Sequence, residues 1–149
     1  MDDKKRSAAR QFIEAIPHSR ALGMVLETLE DGVAVISMPY DARFVGDPQT
    51  GVIHGGAVSA LMDTCGGAAV MSHSTGAVGT ATIDLRIDYM RPAKPGDRIT
   101  ARAECYHVTR SVAFVRATAH DADSALPVAT ATGAFTLERA RGPKAEGKP

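Results

Sequence analysis

A glycine-rich turn at positions 51–56, with one carboxylate seven residues beyond it, has the residue types and the spacing for chemistry. The turn reads Gly51-Val52-Ile53-His54-Gly55-Gly56. Its glycines let a ligand come within contact distance of free backbone N–H groups, and a helix N-terminus adds roughly half a positive charge. This combination favours an oxygen that gains negative charge during a reaction, such as the carbonyl oxygen of a thioester. The Gly55 amide is the natural donor to such an oxygen.

The carboxylate is Asp63, the one acid in the apolar segment that follows the turn. A buried carboxylate without a partner is costly, so Asp63 is either hydrogen-bonded or lines a cavity that water and substrate can reach. In a cavity it would act as the general base for water or as a direct nucleophile. The residues alone also allow a structural interpretation, in which the glycines make an ordinary turn and His54 and Asp63 only form hydrogen bonds.

The segment from Gly55 to Ser72 predicts the helix that must carry these groups. Its main apolar face is formed by residues at helical spacing: Val58, Leu61, Met62, Cys65, Ala69 and Ser72. The other side carries Asp63 among small residues that include Gly66 and Gly67. Glycines inside a helix cost roughly 1 kcal/mol each relative to alanine, so this pair suggests that another backbone approaches closely. A helix that is apolar or small on nearly every side is a buried helix.

Strand patterns lie on both sides of this helix in the sequence. Residues 80–90 alternate between apolar and polar types, and three further strand-like segments follow at 99–108, 112–120 and 127–137. Earlier, residues 3–16 predict an amphipathic helix that Pro17 stops, residues 22–29 and 33–38 predict a hairpin, and residues 40–52 predict a loop. The order predicts an α+β fold in which one antiparallel sheet wraps around one long central helix.

Composition limits the classes of partner and site. The 149 residues fit a single domain, and the 17 basic and 17 acidic side chains leave no net charge to attract a nucleic acid or an anionic membrane. No secretory signal and no apolar run of membrane-spanning length is present, so we expect a cytoplasmic protein. Cys65 and Cys105 are far apart, and the histidines lack metal-ligand spacing. We therefore expect core cysteines, no metal and no cofactor.

The turn and the aspartate together resemble a known family. A G-x-x-H-G-G turn with an aspartate seven residues after its last glycine is typical of the hotdog-fold thioesterase superfamily, specifically its PaaI-type, phenylacetyl-CoA thioesterase-like group. Here the pattern reads Gly51 to Gly56 and then Asp63, and the resemblance continues through Gly67 and residues 82–92. It implies a hotdog domain over residues 21–138, preceded by an N-terminal helix over 1–20. Residues 139–149 mix charge with Gly and Pro and predict a disordered tail.

The resemblance implies an acyl-CoA thioesterase that hydrolyses an acyl- or aryl-CoA thioester to the free acid and coenzyme A. On the matching positions, Asp63 is the base or nucleophile, the Gly55 N–H polarises the thioester carbonyl, and His54 orders the turn. Thr82 matches a position where the family has a hydroxyl near the attacking water. One residue departs from the family pattern: many relatives carry Asn where this chain has Pro48, with Asp47 beside it.

The family also builds its site between two subunits, with the aspartate facing the histidine-glycine turn of the partner. The resemblance therefore implies a homodimer, doubled to a homotetramer, and it would explain the small face around Gly66 and Gly67. We expect Gly56 to contact the substrate. Basic side chains near the site would bind the phosphates of coenzyme A. The candidates are Arg86, Arg91, Lys94, Arg98 and Arg110. Arg91 and Lys94 are preferred because they flank the turn after the strand that carries Thr82.

Two other functions use the same fold. The chain could hold an acyl-CoA as a regulatory ligand without cleaving it, but a pure binding protein has no need for a charged Asp63 at the thioester. A hotdog hydratase or dehydratase would act on the acyl chain and would want a different arrangement of acid and histidine. A thiol nucleophile at Cys65 is the weakest alternative, since that residue lies on the main apolar face of the predicted helix.

Overall fold

The computed structural model describes residues 3–140. It confirms the predicted α+β architecture: a six-stranded antiparallel sheet curves around one 18-residue helix, as in the hotdog fold. Most of the predicted tail, residues 141–149, lies outside the described residues, whereas Arg139 still belongs to a strand. No helix within residues 3–140 is long and apolar enough to cross a membrane.

Two helices precede the sheet where one was predicted. Helix α1 spans Asp3–Ala15, and α2 spans Pro17–Ala21. Pro17 does end α1, but it also begins α2, because the fixed backbone angle and missing N–H of proline suit the first turn of a helix. Leu22 closes α2, so the first strand begins three residues later than the pattern suggested, at Val25.

The main sheet has the strand order β1-β2-β7-β8-β9-β6. Its strands are β1 (Val25–Glu30), β2 (Val33–Met38), β6 (Thr82–Tyr89), β7 (Ile99–Val108), β8 (Val112–His120) and β9 (Ala129–Thr136). Short strands form two small pairs beside it: β3 (Val45–Asp47) with β4 (Val52–Ile53), and β5 (Ala77–Gly79) with β10 (Glu138–Arg139). Within residues 3–140, strand β6 pairs with β9 alone and therefore forms one edge of the sheet.

Helix α3 (Gly55–Ser72) lies against the concave side of the sheet and is buried along its length. Leu61, Met62, Cys65 and Ala69 are fully enclosed in the core, which confirms most of the predicted apolar face. Ser72 is only half-buried. The alanines of β7, β8 and β9 provide the facing surface, and their small side chains let the sheet approach the helix closely.

Gly66 packs against a buried aromatic ring of the same chain. A Cβ atom there would lie 2.8 Å from Cζ of Phe135, in the same chain. The ring of Phe135 is almost fully buried and requires a glycine beneath it. Gly67 has more room, since a Cβ atom there would lie 3.9 Å from Thr80. The contact with Phe135 on β9 is therefore sufficient to require glycine at position 66, and the proposed subunit contact of the small face stays a prediction.

Candidate active site

His54 caps the N-terminus of α3. Its Nδ1 atom accepts a hydrogen bond from the Gly56 N–H at 2.8 Å, and its own N–H donates to the carbonyl of Phe44 at 2.8 Å. Gly46 on β3 lies so close that a Cβ there would be 2.8 Å from Cα of His54. These contacts fix the turn from both sides. The arrangement fits the ordering role that the resemblance implies for His54.

Gly55 is the first residue of α3, and its N–H has no hydrogen-bond acceptor within the part of the chain that the structure describes. The first N–H groups of any helix lack partners inside that helix. The neighbouring N–H of Gly56 is already taken by His54. Of the two glycines after His54, Gly55 is the one with an N–H available to a ligand oxygen.

Tyr89, at the end of β6, is a residue of this site that the sequence reasoning did not assign. Its hydroxyl donates to the carbonyl oxygen of Gly55 at 2.7 Å and also contacts the hydroxyl of Ser59. Its ring lies against the Cα of Gly55, where a Cβ atom would be 3.3 Å from the ring. Alternation along β6 includes Tyr89, but nothing in the sequence marks a contact with a residue 34 positions earlier.

Asp63 lies two turns further along α3 and is half-buried, outside the dry core. The hydroxyl of Thr82, at the start of β6, donates to its Oδ1 atom at 2.6 Å. The structure thus brings together two residues that the resemblance assigned to one site. A carboxylate held by one hydroxyl keeps oxygen lone pairs available to a water molecule or to a substrate carbonyl.

Asp63 and Gly55 are well separated within one chain. Eight residues of α-helix correspond to about 12 Å along the helix axis. A general base must lie within hydrogen-bond reach of the proton that it removes, directly or through one water. A thioester held by the Gly55 N–H is therefore out of reach of Asp63 in the same chain.

The loop before the turn is more ordered than predicted. It contains a short 3-10 helix at Ala42–Phe44 and the β3-β4 hairpin. Asp47 caps the hairpin turn by accepting hydrogen bonds from the Thr50 hydroxyl at 2.8 Å and the Gln49 N–H at 3.0 Å. The Thr50 hydroxyl and then the Gln49 N–H hold the pKa of Asp47 below its ordinary value. Pro48 therefore sits in a turn that Asp47 organises.

Arg91, which we expected to contact a phosphate of coenzyme A, is engaged by groups of its own chain. Its guanidinium forms a bidentate ion pair with Asp121, at 2.6 and 2.8 Å, and also donates to the carbonyl of Leu126 at 2.7 Å. The Asp121 side chain is only 2% exposed. An arginine committed to a buried carboxylate has little capacity left for a ligand. Lys94 differs: its side chain is exposed, while its backbone N–H donates to Asp121 at 2.9 Å.

Cys65 is a core residue, as predicted. Its thiol donates to the carbonyls of Ala34 at 3.3 Å and Ala101 at 3.4 Å, and burial raises its pKa to about 12. Because the thiolate is the nucleophilic form, this cysteine is unsuited to attack a substrate. Residues 3–140 also contain no group of three or more His, Cys, Asp or Glu side chains that could hold a metal ion.

Two open cavities flank the glycine turn. One, of about 290 Å³, lies on the side of α2 and is lined by His18, Leu22, Phe44, His54, Gly56, Ala57 and Ala60. The other, of about 430 Å³, lies on the side of β6, and Val52, Gly55, Val58, Tyr89 and Met90 are among its lining residues. Apolar walls with a few polar groups are typical of small-molecule sites. Open space thus lies on both sides of the turn that carries Gly55.

Comparison with known proteins identifies the family of this chain. The family model of the thioesterase superfamily matches residues 50–128, which include the glycine turn, Asp63, Thr82 and Tyr89. A medium/long-chain acyl-CoA thioesterase, YigI of Salmonella typhimurium, is 31% identical over 139 residues, covering 85% of this chain and 88% of its own. The acyl-coenzyme A thioesterase PaaI of Escherichia coli is 32% identical over 107 residues, covering 72% and 73%.

Solved structures give the same result. A protein from Pseudomonas aeruginosa has a TM-score of 0.77 and 38% identity over 87% of this chain and 96% of its own. The E. coli PaaI protein from the phenylacetic acid degradation operon has a TM-score of 0.80, and the match covers 91% of this chain and 94% of its own. At 24% identity it is similar in fold. The chain belongs to the thioesterase superfamily and is a thioester hydrolase.

Proposed function

We propose that this protein hydrolyses acyl-CoA thioesters in a site built from two copies of the chain. The Gly55 N–H of one copy holds the thioester oxygen, and Asp63 of the other copy drives the attack of water. The relatives named as acyl-CoA thioesterases support the substrate class. The free Gly55 N–H and the half-buried Asp63 support the two roles.

The observation that carries the shared site is the way β6 contacts α3 at both ends. Thr82, at the start of β6, bonds Asp63, and Tyr89, at its end, bonds Gly55. The strand therefore runs from the Asp63 end of the helix to the Gly55 end. If two β6 strands pair antiparallel about a two-fold axis, Thr82 of one copy comes opposite Tyr89 of the other. That pairing would bring Asp63 of one copy to the Gly55 turn of its partner.

The edge position of β6 supports such a pairing. An unpaired edge strand presents free N–H and C=O groups to another strand. Ile83 and Tyr89 on this edge are 55% and 49% exposed, which is high for large apolar side chains. An isologous contact buries the same patch on both subunits and closes as a dimer. We propose a homodimer formed in this way, and a homotetramer as its doubled form.

The reaction then follows from the positions of three groups. The Gly55 N–H donates to the carbonyl oxygen as it becomes an oxyanion, and this stabilises the tetrahedral intermediate. Asp63 of the partner copy takes a proton from water, or attacks the carbonyl carbon directly. Its bond from Thr82 fixes the orientation of the carboxylate. With water as the nucleophile, collapse of the intermediate releases the free acid and the thiolate of coenzyme A, which takes the proton held by Asp63. With direct attack, collapse releases coenzyme A and leaves an acyl-Asp63 anhydride, which water then hydrolyses to the free acid. Exposed Lys94 offers a cation to the phosphates of coenzyme A.

A thiol-release assay over a panel of acyl- and aryl-CoA substrates tests the chemistry. We expect turnover by the native protein and a loss of at least about a hundredfold in kcat for Asp63→Asn, the size expected when a general base is removed. Asp123→Asn changes an exposed aspartate outside β6 in the same way and is the matched control. Equal rates for Asp63→Asn and the native protein would remove Asp63 from the mechanism. Binding of acyl-CoA without turnover would favour a regulatory protein.

Mixed dimers test the shared site. Gly55→Val, whose side chain would collide with Tyr89, and Asp63→Asn are each expected to be inactive. After the two variants are unfolded and refolded together, half of the dimers contain one of each. Each mixed dimer has one intact site if the turn and the carboxylate come from different copies, so about a quarter of the native activity returns. No recovery, despite mixed dimers shown by native mass spectrometry, would contradict a shared site.

A further inference from the structure

The pairing of β6 with β9 contains an irregularity at the residue next to Thr82. Thr82 is opposite Phe135, and Asp84 is opposite Ala134, so Ile83 has no partner of its own. From Asp84 to Tyr89 the pairing is regular. This is a β-bulge, in which one strand holds an extra residue, bends, and aims a neighbouring side chain differently.

Side chains replace backbone hydrogen bonds on both sides of the bulge. The Ala134 N–H donates to Oδ1 of Asp84 at 2.9 Å, and the Ala81 N–H donates to the hydroxyl of Thr136 at 2.8 Å. Thr82 lies between these two contacts. A bulge leaves ladder groups without a partner on the opposite strand, and here the Asp84 carboxylate and the Thr136 hydroxyl accept two of these N–H groups. Asp84 and Thr136 therefore hold the local backbone in its bulged form.

Strand β9 accommodates the bulge through a glycine, Gly133. A Cβ atom at Gly133 would lie 2.5 Å from the carbonyl oxygen of Asp84 and 3.2 Å from Cα of Leu85. No residue other than glycine allows so close an approach of the two backbones. Gly133 thus permits the bulge, and the Asp84 carboxylate stabilises it from within β6.

The consequence concerns Thr82. Successive side chains of a strand point to opposite faces, so a shift of one residue would turn Thr82 away from α3. With the bulge in place, the Thr82 hydroxyl reaches Asp63 at 2.6 Å. We propose that Asp84 is a positioning residue: its carboxylate holds the bulge that directs the Thr82 hydroxyl onto Asp63. The inference rests on the proposed function, since it gives Thr82 and Asp63 a part in catalysis.

Kinetics of Asp84 variants test the inference. We expect Asp84→Ala to lower kcat by about tenfold to a hundredfold with little change in KM, as expected for a small displacement of a reacting group. Asp84→Asn keeps a carbonyl oxygen that can accept from the Ala134 N–H and should retain most of the activity. Asp123→Ala removes an exposed carboxylate outside β6 that also accepts a backbone N–H, that of Ala125 at 3.0 Å, and this control should behave as the native protein.

A double-mutant cycle with Thr82→Ala separates positioning from a general structural effect. If Asp84 acts through Thr82, Asp84→Ala should cause no further loss in kcat when Thr82 is already alanine. Additive losses would overturn the inference, as would an Asp84→Ala variant with native kcat. If Asp84→Ala does not fold, Asp84→Ser takes its place in the cycle, because its hydroxyl stops one bond short of the Oδ1 position.

Amide hydrogen exchange gives a readout that does not depend on turnover. Loss of the Asp84 carboxylate should speed exchange of the Ala134 amide, while the amides opposite the regular part of β6 keep their protection. Unchanged exchange at Ala134 would contradict the role of Asp84. The two proposals can fail separately. Native activity of Asp63→Asn would contradict the proposed function, whereas faster Ala134 exchange in Asp84→Ala would still support the contact at the bulge.

Discussion

The hydroxyl of Tyr89 donates to the carbonyl oxygen of Gly55 at 2.7 Å, so the last residue of β6 is bonded to the first residue of α3. The N–H and the carbonyl of Gly55 belong to the two peptide groups on either side of its Cα. The direction of the carbonyl therefore affects the direction of the N–H. The ring of Tyr89 also covers the Cα of Gly55. Tyr89 therefore helps to set the direction in which the Gly55 N–H points.

Tyr89→Phe removes this hydrogen bond and keeps the ring. We expect a loss in kcat of about tenfold, because donors to an oxyanion lose effect when they are misaligned, while complete removal of one donor costs a hundredfold or more. KM should change little. Tyr106→Phe, on an exposed tyrosine of β7, is the control. A native kcat for Tyr89→Phe would show that the ring alone sets the geometry of Gly55.

The sequence was sufficient for the main architecture because each of its signals is local. Helical spacing from Val58 to Ala69 identified the buried helix, and alternation identified the strands. The differences lie in short elements: α2 begins at Pro17, which also stops the preceding helix, and the predicted loop 40–52 contains the β3-β4 hairpin. The glycine turn and Asp63 were also recognisable, since their spacing is short and lies within one continuous segment.

Contacts between distant residues were not predictable in this way. The sequence does not reveal the partner of Arg91, because Asp121 comes 30 residues later in the chain, after strands β7 and β8. The bulge at Ile83 and the contact of Phe135 with Gly66 depend on register between strands, which no local pattern specifies. Tyr89 escaped notice for the same reason: its partner Gly55 is 34 residues away.

The two adjacent glycines of α3 should respond in opposite ways to alanine. Gly66→Ala puts a methyl group 2.8 Å from the buried ring of Phe135, and such overpacking costs about 1–3 kcal/mol. At Gly67, a Cβ atom has 3.9 Å of space, and alanine favours a helix by up to about 1 kcal/mol. Urea unfolding of both variants would measure the difference.

The Gly67→Ala protein also tests whether this position lies at a contact between subunits. A more stable Gly67→Ala protein with the oligomeric state of the native protein would show that a methyl group at this position meets no subunit contact. Loss of the dimer by light scattering would show that the subunits pack on Gly67, the role that the resemblance implied for the small face. A stable Gly66→Ala protein would contradict the contact with Phe135.

Replacing the buried cysteine should leave catalysis unchanged. The thiol of Cys65 is enclosed, and burial raises its pKa to about 12, so it is protonated at neutral pH. We expect Cys65→Ala to keep its kcat and to lose about 1 kcal/mol of stability, for a small buried side chain. Reaction with a thiol reagent at pH 8 should be slow in the folded protein and fast in denaturant. A large loss of kcat in a folded Cys65→Ala protein would support the alternative in which the Cys65 thiol is the nucleophile.

The Arg91–Asp121 pair should stabilise the fold in a pH-dependent way. Hydrogen bonds from Arg91, and then those from the backbone N–H groups of Lys94 and Asp123, outweigh burial and hold the pKa of Asp121 well below its ordinary value of 3.8. The folded state therefore binds this proton less readily than the unfolded state does. The stabilisation is present above pH 3.8 and is lost as the pH falls toward the pKa of the folded state.

Asp121→Asn removes the charge and nearly preserves the shape of the side chain. At pH 7 we expect the free energy of unfolding to fall by about 2–3 kcal/mol, the range for hydrogen bonds to charged groups. Below pH 3.8 the difference from the native protein should shrink, because the native carboxyl then also becomes neutral. Urea titrations at pH 7 and at the lowest pH where both proteins fold would measure it. Asp123→Asn, an exposed neighbour, is the control. A loss of equal size at both pH values would mean that the charge of Asp121 contributes nothing and that its shape alone matters.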